Sequence, residues 1–373
     1  MSDRPELSIL LTGDLVFDEP EPDRFFDPAR AVLREADIVA GHLEVPFTST
    51  PSAAYAGRDV SRLRVLRDAG FDIATLAANH LLDAGPEGVR DTLAGLRELG
   101  IASAGAGPDL EHARQPAVVE RKGLRVGFLS YNCVGPRESW ASPRKPGCAY
   151  VEVLTHYELD YAAPGGPPRI YTFAVPESLE AMQDDIAKVR RQVDVLVVAL
   201  HKGLLHTPVT LAMYERPVAH AAIDAGADAV VSHHSHICHG IEVFRGRPIF
   251  HGLGNFVAVT RVLDTAENPD PDMLEWARRR RQLFGFEPDP DYPNYPFHPE
   301  AKNAMIAVCD VDPSGELRGG FIPCFINPRG QPEPLGKDAR GEMVAAYIEE
   351  VTESAGLRTR FEWNDGRVIV GAE

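Results

Sequence analysis

The sequence is poor in the features of secreted and membrane-embedded proteins. It has five cysteines in 373 residues, and no two of them form a CxxC pair, so a disulfide-stabilised fold is not expected. No run of about 18 apolar residues could span a bilayer, and the amino terminus lacks a basic start followed by an apolar segment. We therefore expect a cytoplasmic protein with reduced thiols and no membrane partner.

Basic residues are scarce relative to acidic ones. Lysine and arginine total 38 against 55 aspartates and glutamates, for a formal net charge of −17. This charge repels nucleic acid and anionic membrane surfaces, although a bound metal ion dominates its own pocket. The one basic cluster, Arg278–Arg281, is interpreted as a solvated helix face. A nucleotide-binding glycine loop is not found, because Gly105-Ala106-Gly107 lacks a following helix start.

Short apolar runs alternate with amphipathic stretches through the first 260 residues. The runs predict strands at Leu7–Leu11, Phe71–Leu76, Leu124–Ser130, Val193–Leu200 and Ala227–Val231, and helical spacing predicts helices such as Glu87–Leu99 and Glu177–Val189. This alternation predicts a layered α/β fold. We expect one domain over residues 1–373, with a lid-like excursion at 262–302, including a helix at Pro271–Leu283, and a C-terminal helix and strand extension at 331–373.

Polar side chains cluster just after predicted strands, at the sheet edge where α/β proteins bind ligands. Imidazoles, carboxylates and an amide oxygen form a mixed set for divalent metals. A carboxylate such as Glu44 could bridge two ions. Taken singly, Asp14 is equally a turn or helix-cap residue, and Asn79-His80 an Asx turn with a packed histidine. The set of candidates comprises Asp14, Glu44, Asn79, His80, His201, His234 and His236.

The order of these motifs resembles that of CapA-type proteins, which are similar to calcineurin-like metallophosphoesterases. The resemblance rests on Gly13-Asp14, Leu43-Glu44, Ala78-Asn79-His80, His201 with Gly203, His234-Ser235-His236 and Leu253-Gly254-Asn255-Phe256. It implies a four-layer α/β/β/α sandwich, the calcineurin-like metallophosphoesterase fold.

The resemblance also implies roles for individual residues. Asp14, Glu44 and His236 would bind one metal, while Glu44, Asn79, His201 and His234 would bind a second, with His80 as an acid/base group beside them. Two departures stand out: Asp14 is followed by Leu15-Val16, so the Asp-x-His histidine is missing, and Glu44 replaces an aspartate. We expect one or two divalent ions, with Ca²⁺, Mn²⁺, Mg²⁺ and Zn²⁺ all open.

A CapA-like chain without an export segment resembles the peptide epimerase of lasso-peptide biosynthesis. The resemblance predicts conversion of an L residue of a precursor peptide to D, by α-proton abstraction and a metal-stabilised enolate. The partner would be a peptide substrate, with or without a leader-peptide-binding protein. Two alternatives stay open: a metal-dependent phosphoesterase or amide hydrolase, and a CapA-type assembly protein for poly-γ-glutamate.

Candidate bases for that reaction are histidines outside the expected metal ligands. They are His80, His206, His251 and His298, the last lying in the proline- and aromatic-rich excursion. Lys202, next to His201, is a candidate partner for a substrate carboxylate, against the simpler interpretation of a solvated rim lysine.

Overall fold

The computed structural model describes residues 7–19, 21–50, 58–159, 161–162, 165–260 and 271–373. The predicted excursion therefore falls in part, over residues 262–270, outside the described residues. Within these ranges no helix combines the length and apolar character needed to cross a membrane.

The strands alternate with helices through the first two thirds of the chain. The strands are β1 (Leu7–Phe17), β2 (Ile38–Leu43), β3 (Ile73–Thr75), β4 (Ala102–Ala104), β5 (Ala106–Gly107), β6 (Ala117–Arg121), β7 (Leu124–Asn132), β8 (Gly147–Cys148), β9 (Val153–Glu158), β10 (Arg169–Ala174), β11 (Val195–Lys202), β12 (Ala229–His234), β13 (Cys238–Phe244), β14 (Arg247–Leu253), β15 (Asn255–Val259), β16 (Asn303–Val311), β17 (Leu317–Ile326), β18 (Pro332–Pro334), β19 (Thr359–Asn364) and β20 (Arg367–Ala372). The α-helices are α1 (Arg30–Glu35), α2 (Arg64–Ala69), α3 (Gly85–Glu98), α4 (Leu110–Ala113), α5 (Pro176–Arg190), α6 (Glu215–Asp224), α7 (Pro271–Phe284) and α8 (Ala339–Ser354).

Two large sheets organise these strands. The first has ten strands in the order β19-β20-β17-β16-β1-β2-β3-β4, with β15 paired to β1 and β18 to β17. The second has six, in the order β13-β14-β12-β11-β7-β6. The pairs β1–β2, β2–β3, β7–β11 and β11–β12 are parallel. Their carboxyl ends therefore meet along shared sheet edges.

The buried side chains divide into three apolar layers because strand residues alternate between faces. Ile9 of β1 and Val197 of β11 lie in the layer between the two sheets. Leu10 packs on the outer face of the large sheet with α2 and α3, and Val198 packs outside the second sheet with α5 and α6. Helices thus cover both sheets, and the predicted four-layer α/β/β/α sandwich is confirmed.

The C-terminal part completes this core. Val344 and Ile348 of α8 enter the layer between the sheets, and β20 extends the large sheet beside β17. Helix α7 begins at Pro271, as predicted, and ends one residue later than expected, at Phe284. The division into one domain with a lid and an extension stays a prediction.

Close backbone packing at Gly13 sets the path of β1. A Cβ at this position would lie 2.1 Å from the carbonyl oxygen of Gly254. The same oxygen accepts a hydrogen bond from the Asp14 amide at 3.1 Å. Only glycine lets β1 and the turn before β15 approach so closely.

We expect Gly13→Ala to lower the free energy of unfolding by about 3 kcal/mol, because the methyl group overlaps backbone that cannot move aside. Gly336→Ala is the control, since a Cβ there meets no atom within 4 Å. Chemical denaturation measures both variants. Equal stability of Gly13→Ala and wild type would contradict the packing described.

Candidate metal centre

The predicted metal ligands converge at one place on the two sheets. Asp14, Glu44 and His236 offer ligand atoms that all lie within 4.8 Å of one another, and so do Glu44, His201 and His234. Glu44 belongs to both groups. The geometry therefore suits a carboxylate shared between two ions, although the ligand roles themselves stay predictions.

The local backbone differs from the sequence prediction at three of these residues. Asp14, His201 and His234 lie within β1, β11 and β12 rather than beyond their ends. Strand β1 continues past Asp14 because β15 replaces β16 as its neighbour on one side, while β2 stays paired on the other. The register with β15 shifts between Asp14 and Leu15. A β-bulge of this kind redirects a side chain without ending the strand.

The turn after β12 holds two histidines in left-handed backbone conformations. His234 has φ of 92° and His236 of 53°, which is strained for non-glycine residues. The turn is fastened by the Ser235 side chain, which donates to the Ile237 carbonyl at 2.8 Å. A further bond joins the His236 ring to Asn255 at 2.8 Å.

Buried carboxylate oxygens in this site lack partners. Neither oxygen of Glu44 nor Oδ1 of Asp14 has a hydrogen-bond partner among the described residues, and the same holds for Nδ1 of His234. Glu44 is 1% exposed and Asp14 is fully buried. Oε1 of Glu44 lies 3.5 Å from Nε2 of His236 without forming a hydrogen bond. Because a buried carboxylate without hydrogen bonds is costly, the donor set fits a bound cation.

The electrostatics of the cluster point the same way. Burial lowers the pKa of His236, but the charges of Glu44 and Asp14 raise it to about 9. Burial raises the pKa of Glu44, whereas for Asp14 the opposing effect of His236 brings the pKa to about 2. A protonated His236 therefore supplies positive charge to the two carboxylates.

His201 is held in place through both of its ring nitrogens. Its Nε2 lies 2.7 Å from Oδ1 of Asn79, and its Nδ1 lies 2.9 Å from Nε2 of His42. Burial, reinforced by the neighbouring histidines, holds the pKa of His201 well below its usual value. Burial similarly lowers the pKa of His234 to about 3. Both rings are therefore neutral at neutral pH, as metal ligation needs.

Sequence reasoning missed His42. This ring stacks between His201 and His233, with centroids 4.9 and 4.3 Å away, and bonds to Thr75 at 3.0 Å. It forms a third possible ligand group with Asp14 and His201. Its spacing of two from Glu44 was an available signal, because residues two apart on a strand share a face.

A cavity of about 870 Å³ opens above the cluster. Its floor includes Glu44, Asn79, His80, His234 and His236. His80 donates or accepts through Nδ1 at 2.9 Å from Asp83. Burial lowers the pKa of His80, but Asp83 and Glu44 outweigh it and raise the pKa. His80 is thus placed beside the metal ligands, with an acidic partner.

One wall of the cavity comes from α7 and the segment after it, with Trp276, Arg279, Arg280, Phe284 and Phe297 lining it. The arginine run is therefore not simply a solvated face, since two of its members border the cavity. No sequence signal indicated this, because the helix pattern does not say which neighbour α7 faces.

Three predicted catalytic residues lie elsewhere. Lys202 and His251 are fully buried, 3.3 Å apart between Nζ and Nδ1, and neither is among the described residues lining the cavity. The expectation that Lys202 pairs with a substrate carboxylate is corrected, because its ammonium pairs with Glu215 at 2.8 Å. His298 is half-buried, accepts from the Glu300 amide and is likewise absent from the cavity lining.

His206 is adjacent to the site rather than part of the floor. It is 3% exposed, its ring centroid lies 5.8 Å from that of His236, and its Nε2 is bonded to Arg280. Because burial strongly lowers its pKa, His206 is neutral.

Comparison with known proteins places this geometry in context. The family model described as "Bacterial capsule synthesis protein PGA_cap" matches residues 8–260, the segment that carries all the predicted ligands. The PGA biosynthesis protein CapA of Bacillus subtilis is 27% identical over 278 residues, covering 70% of this chain and 66% of that protein. A probable polyglutamine synthesis accessory protein of Mycobacterium tuberculosis is 35% identical over 193 residues, covering 50% and 44%. The chain thus spans less than two thirds of the length of these curated relatives.

Solved structures give more distant likenesses. Calcineurin-like phosphoesterase YfkN from Bacillus subtilis is 13% identical, with a TM-score of 0.40 and coverage of 94% of this chain and 97% of that one. The sulfate thiohydrolase SoxB of "Termus thermophilus" is 10% identical, with a TM-score of 0.44 and coverage of 95% and 61%. These scores are too low to assign an activity.

We expect Glu44→Gln to reduce bound metal to at most half of the wild-type content, because a neutral amide neither bridges two cations nor balances their charge. Elemental analysis after loading with Mn²⁺ or Zn²⁺ and desalting measures this. Glu242→Gln serves as control, since that buried carboxylate is fully occupied by His251 and Arg216. Equal metal content in wild type and Glu44→Gln would refute a shared carboxylate.

Metal affinity is expected to rise with pH up to about pH 9. Below the raised pKa of His236, a metal must displace its proton, so the dissociation constant falls by about tenfold per pH unit and levels off above the pKa. Competition titration with a chromophoric chelator measures the slope. His236→Asn should flatten it, and a flat profile in wild type would contradict the proposed proton release.

Proposed function

Because the chain belongs to the bacterial capsule synthesis protein family PGA_cap, we propose that it is a CapA-type, metal-dependent hydrolase that cleaves an amide bond in a carboxylate-rich peptide or glutamate polymer. The observation that carries the proposal is Glu44. Its two buried oxygens accept no hydrogen bond from the described residues, and they belong to two ligand groups at the floor of a cavity whose wall holds arginines.

The cavity wall favours an anionic substrate. Arg279 is exposed on α7 at the cavity, and among the described residues its side chain has no hydrogen bond or ion pair. Arg280 borders the same space, where burial lowers its pKa to about 10, so it stays charged at neutral pH. On a chain with a net charge of −17, a cationic wall attracts anionic groups, and the carboxylates of a glutamate polymer are such groups.

The metal would be held by Asp14, Glu44 and His236 on one side and by Glu44, Asn79, His201 and His234 on the other. When bound, a divalent metal supplies Lewis acidity that activates water and polarises the scissile carbonyl. His80 is the group placed to donate a proton to the leaving amine, since Asp83 orients its ring and favours its protonated form.

The three alternative functions would use the same residues at the floor of the cavity. A phosphoester substrate would bind the metal ions held by the same ligands and take its proton from the same donor, His80. Epimerisation has no support from the relatives, and three of its candidate bases, His206, His251 and His298, are not among the described residues that line the cavity. An assembly protein would bind the polymer without turnover.

One experiment separates these outcomes. The purified protein with Mn²⁺ is incubated in D₂O with γ-linked oligoglutamate, an α-linked glutamate-rich peptide and p-nitrophenyl phosphate esters, and products are identified by mass spectrometry. We expect EDTA-sensitive shortening of a glutamate substrate. Release of nitrophenol alone would indicate a phosphoesterase, and a one-deuteron mass gain without cleavage would indicate an epimerase. Either result, or binding without any reaction, overturns the proposal.

His80→Gln is expected to lower kcat by about 10²-fold or more, because it removes the proton donor. His112→Gln is a matched control, since His112 also pairs with an aspartate three residues away, Asp109, at 2.8 Å on the surface. Steady-state kinetics on the substrate found above would measure both. A His80→Gln enzyme as active as the control would remove the assigned role.

A further inference from the structure

A buried ion pair lies behind the candidate metal centre and takes no part in the chemistry above. Lys202 Nζ and Glu215 Oε2 are 2.8 Å apart, and both side chains have 0% exposure. Taking two charges out of water costs several kcal/mol per ion before their attraction offsets it, and apolar replacements are often as stable. Stability alone therefore gives no reason for this pair.

The carboxylate of Glu215 is bonded to one end of a loop and packs against the other end. This loop, residues 203–214, joins β11 to α6. At its end, Glu215 Oε1 accepts from the Ala212 amide at 2.6 Å. At its start, Gly203 has φ of 106°, and a Cβ there would lie 2.9 Å from Glu215 Oε2. Tyr214 adds a bond from the Gly203 amide to its hydroxyl at 2.8 Å.

The same loop contacts the strained histidine turn. The His206 amide donates to the Ser235 carbonyl at 2.9 Å, between the two positive-φ residues His234 and His236. The Thr207 carbonyl meets His239 Nε2 at 2.9 Å, on the other side of that turn. A strained turn persists only where its surroundings hold it, and the loop is one of those surroundings.

We propose that Glu215, with Lys202 as its buried counter-charge, is a positioning residue that latches the 203–214 loop against the His234-Ser235-His236 turn. Lys202 pairs with the carboxylate, the carboxylate holds the end of the loop at Ala212 and packs against its start at Gly203, and the loop presents the His206 amide to Ser235. Only the effect on metal affinity rests on the proposed function. The effect on the loop does not.

Two uncharged double variants test the latch. Lys202→Met/Glu215→Gln keeps a carbonyl oxygen for the Ala212 amide, whereas Lys202→Met/Glu215→Leu removes it with similar side-chain volume. Hydrogen exchange of the 203–214 peptide, followed by mass spectrometry, is the first measurement. Mn²⁺ affinity by competition titration is the second.

We expect the Leu variant to lose protection in the loop and to bind Mn²⁺ about 10- to 100-fold more weakly, as when outer groups that orient ligands are removed. The Gln variant should match wild type in both. Equal exchange in the two double variants, whether protected or not, overturns the latch. If the wild-type protein binds no Mn²⁺, the candidate metal centre is refuted. Hydrogen exchange of the loop still tests the latch in that case.

A third variant covers the case in which neither double variant folds. Ala212→Pro removes the amide donor and leaves both charges in place. Faster exchange at the start of the loop, around His206, supports the latch, and exchange unchanged from wild type overturns it.

Discussion

The structure depends on two carboxylates held out of water between two sheets. Asp14 and Glu44 are almost completely buried, and the described protein groups do not satisfy their oxygens. A buried anion persists only where a cation offsets it. Here a protonated His236 offsets the two carboxylates, and in the proposed function metal ions would do so. The neutral histidines and the arginine wall are arranged around this one requirement.

Much of this arrangement could be predicted from the sequence. The apolar runs predict the strands, and the polar residues near the strands' carboxyl ends predict the candidate ligand cluster. The second prediction works because parallel strands bring their ends together whatever their separation along the chain. Asp14 is an instructive difference: the polar residue marks a bulge inside β1 rather than the strand end. A change of neighbouring strand leaves no mark on hydrophobic periodicity.

The positions of Lys202, His251 and the α7 wall could not be predicted in this way, because they depend on where individual side chains point. Lys202 follows His201 directly, and successive strand residues face opposite sides of a sheet, so one reaches the metal site while the other is buried with Glu215. His251 is likewise buried away from the cavity lining, because the sequence does not show which way its side chain points. The α7 wall was missed because helical periodicity identifies an apolar face but not the element or cavity that it borders.

The two halves of the cavity have different origins along the chain. The groups that would hold metal lie before residue 260, within the segment common to the capsule synthesis family, whereas the arginines and aromatic rings opposite them come from Pro271 onward. In the proposed function, reactivity and substrate choice would thus be carried by separate stretches of polypeptide. Replacing the second stretch would then change the accepted molecule and leave the chemistry of the first in place.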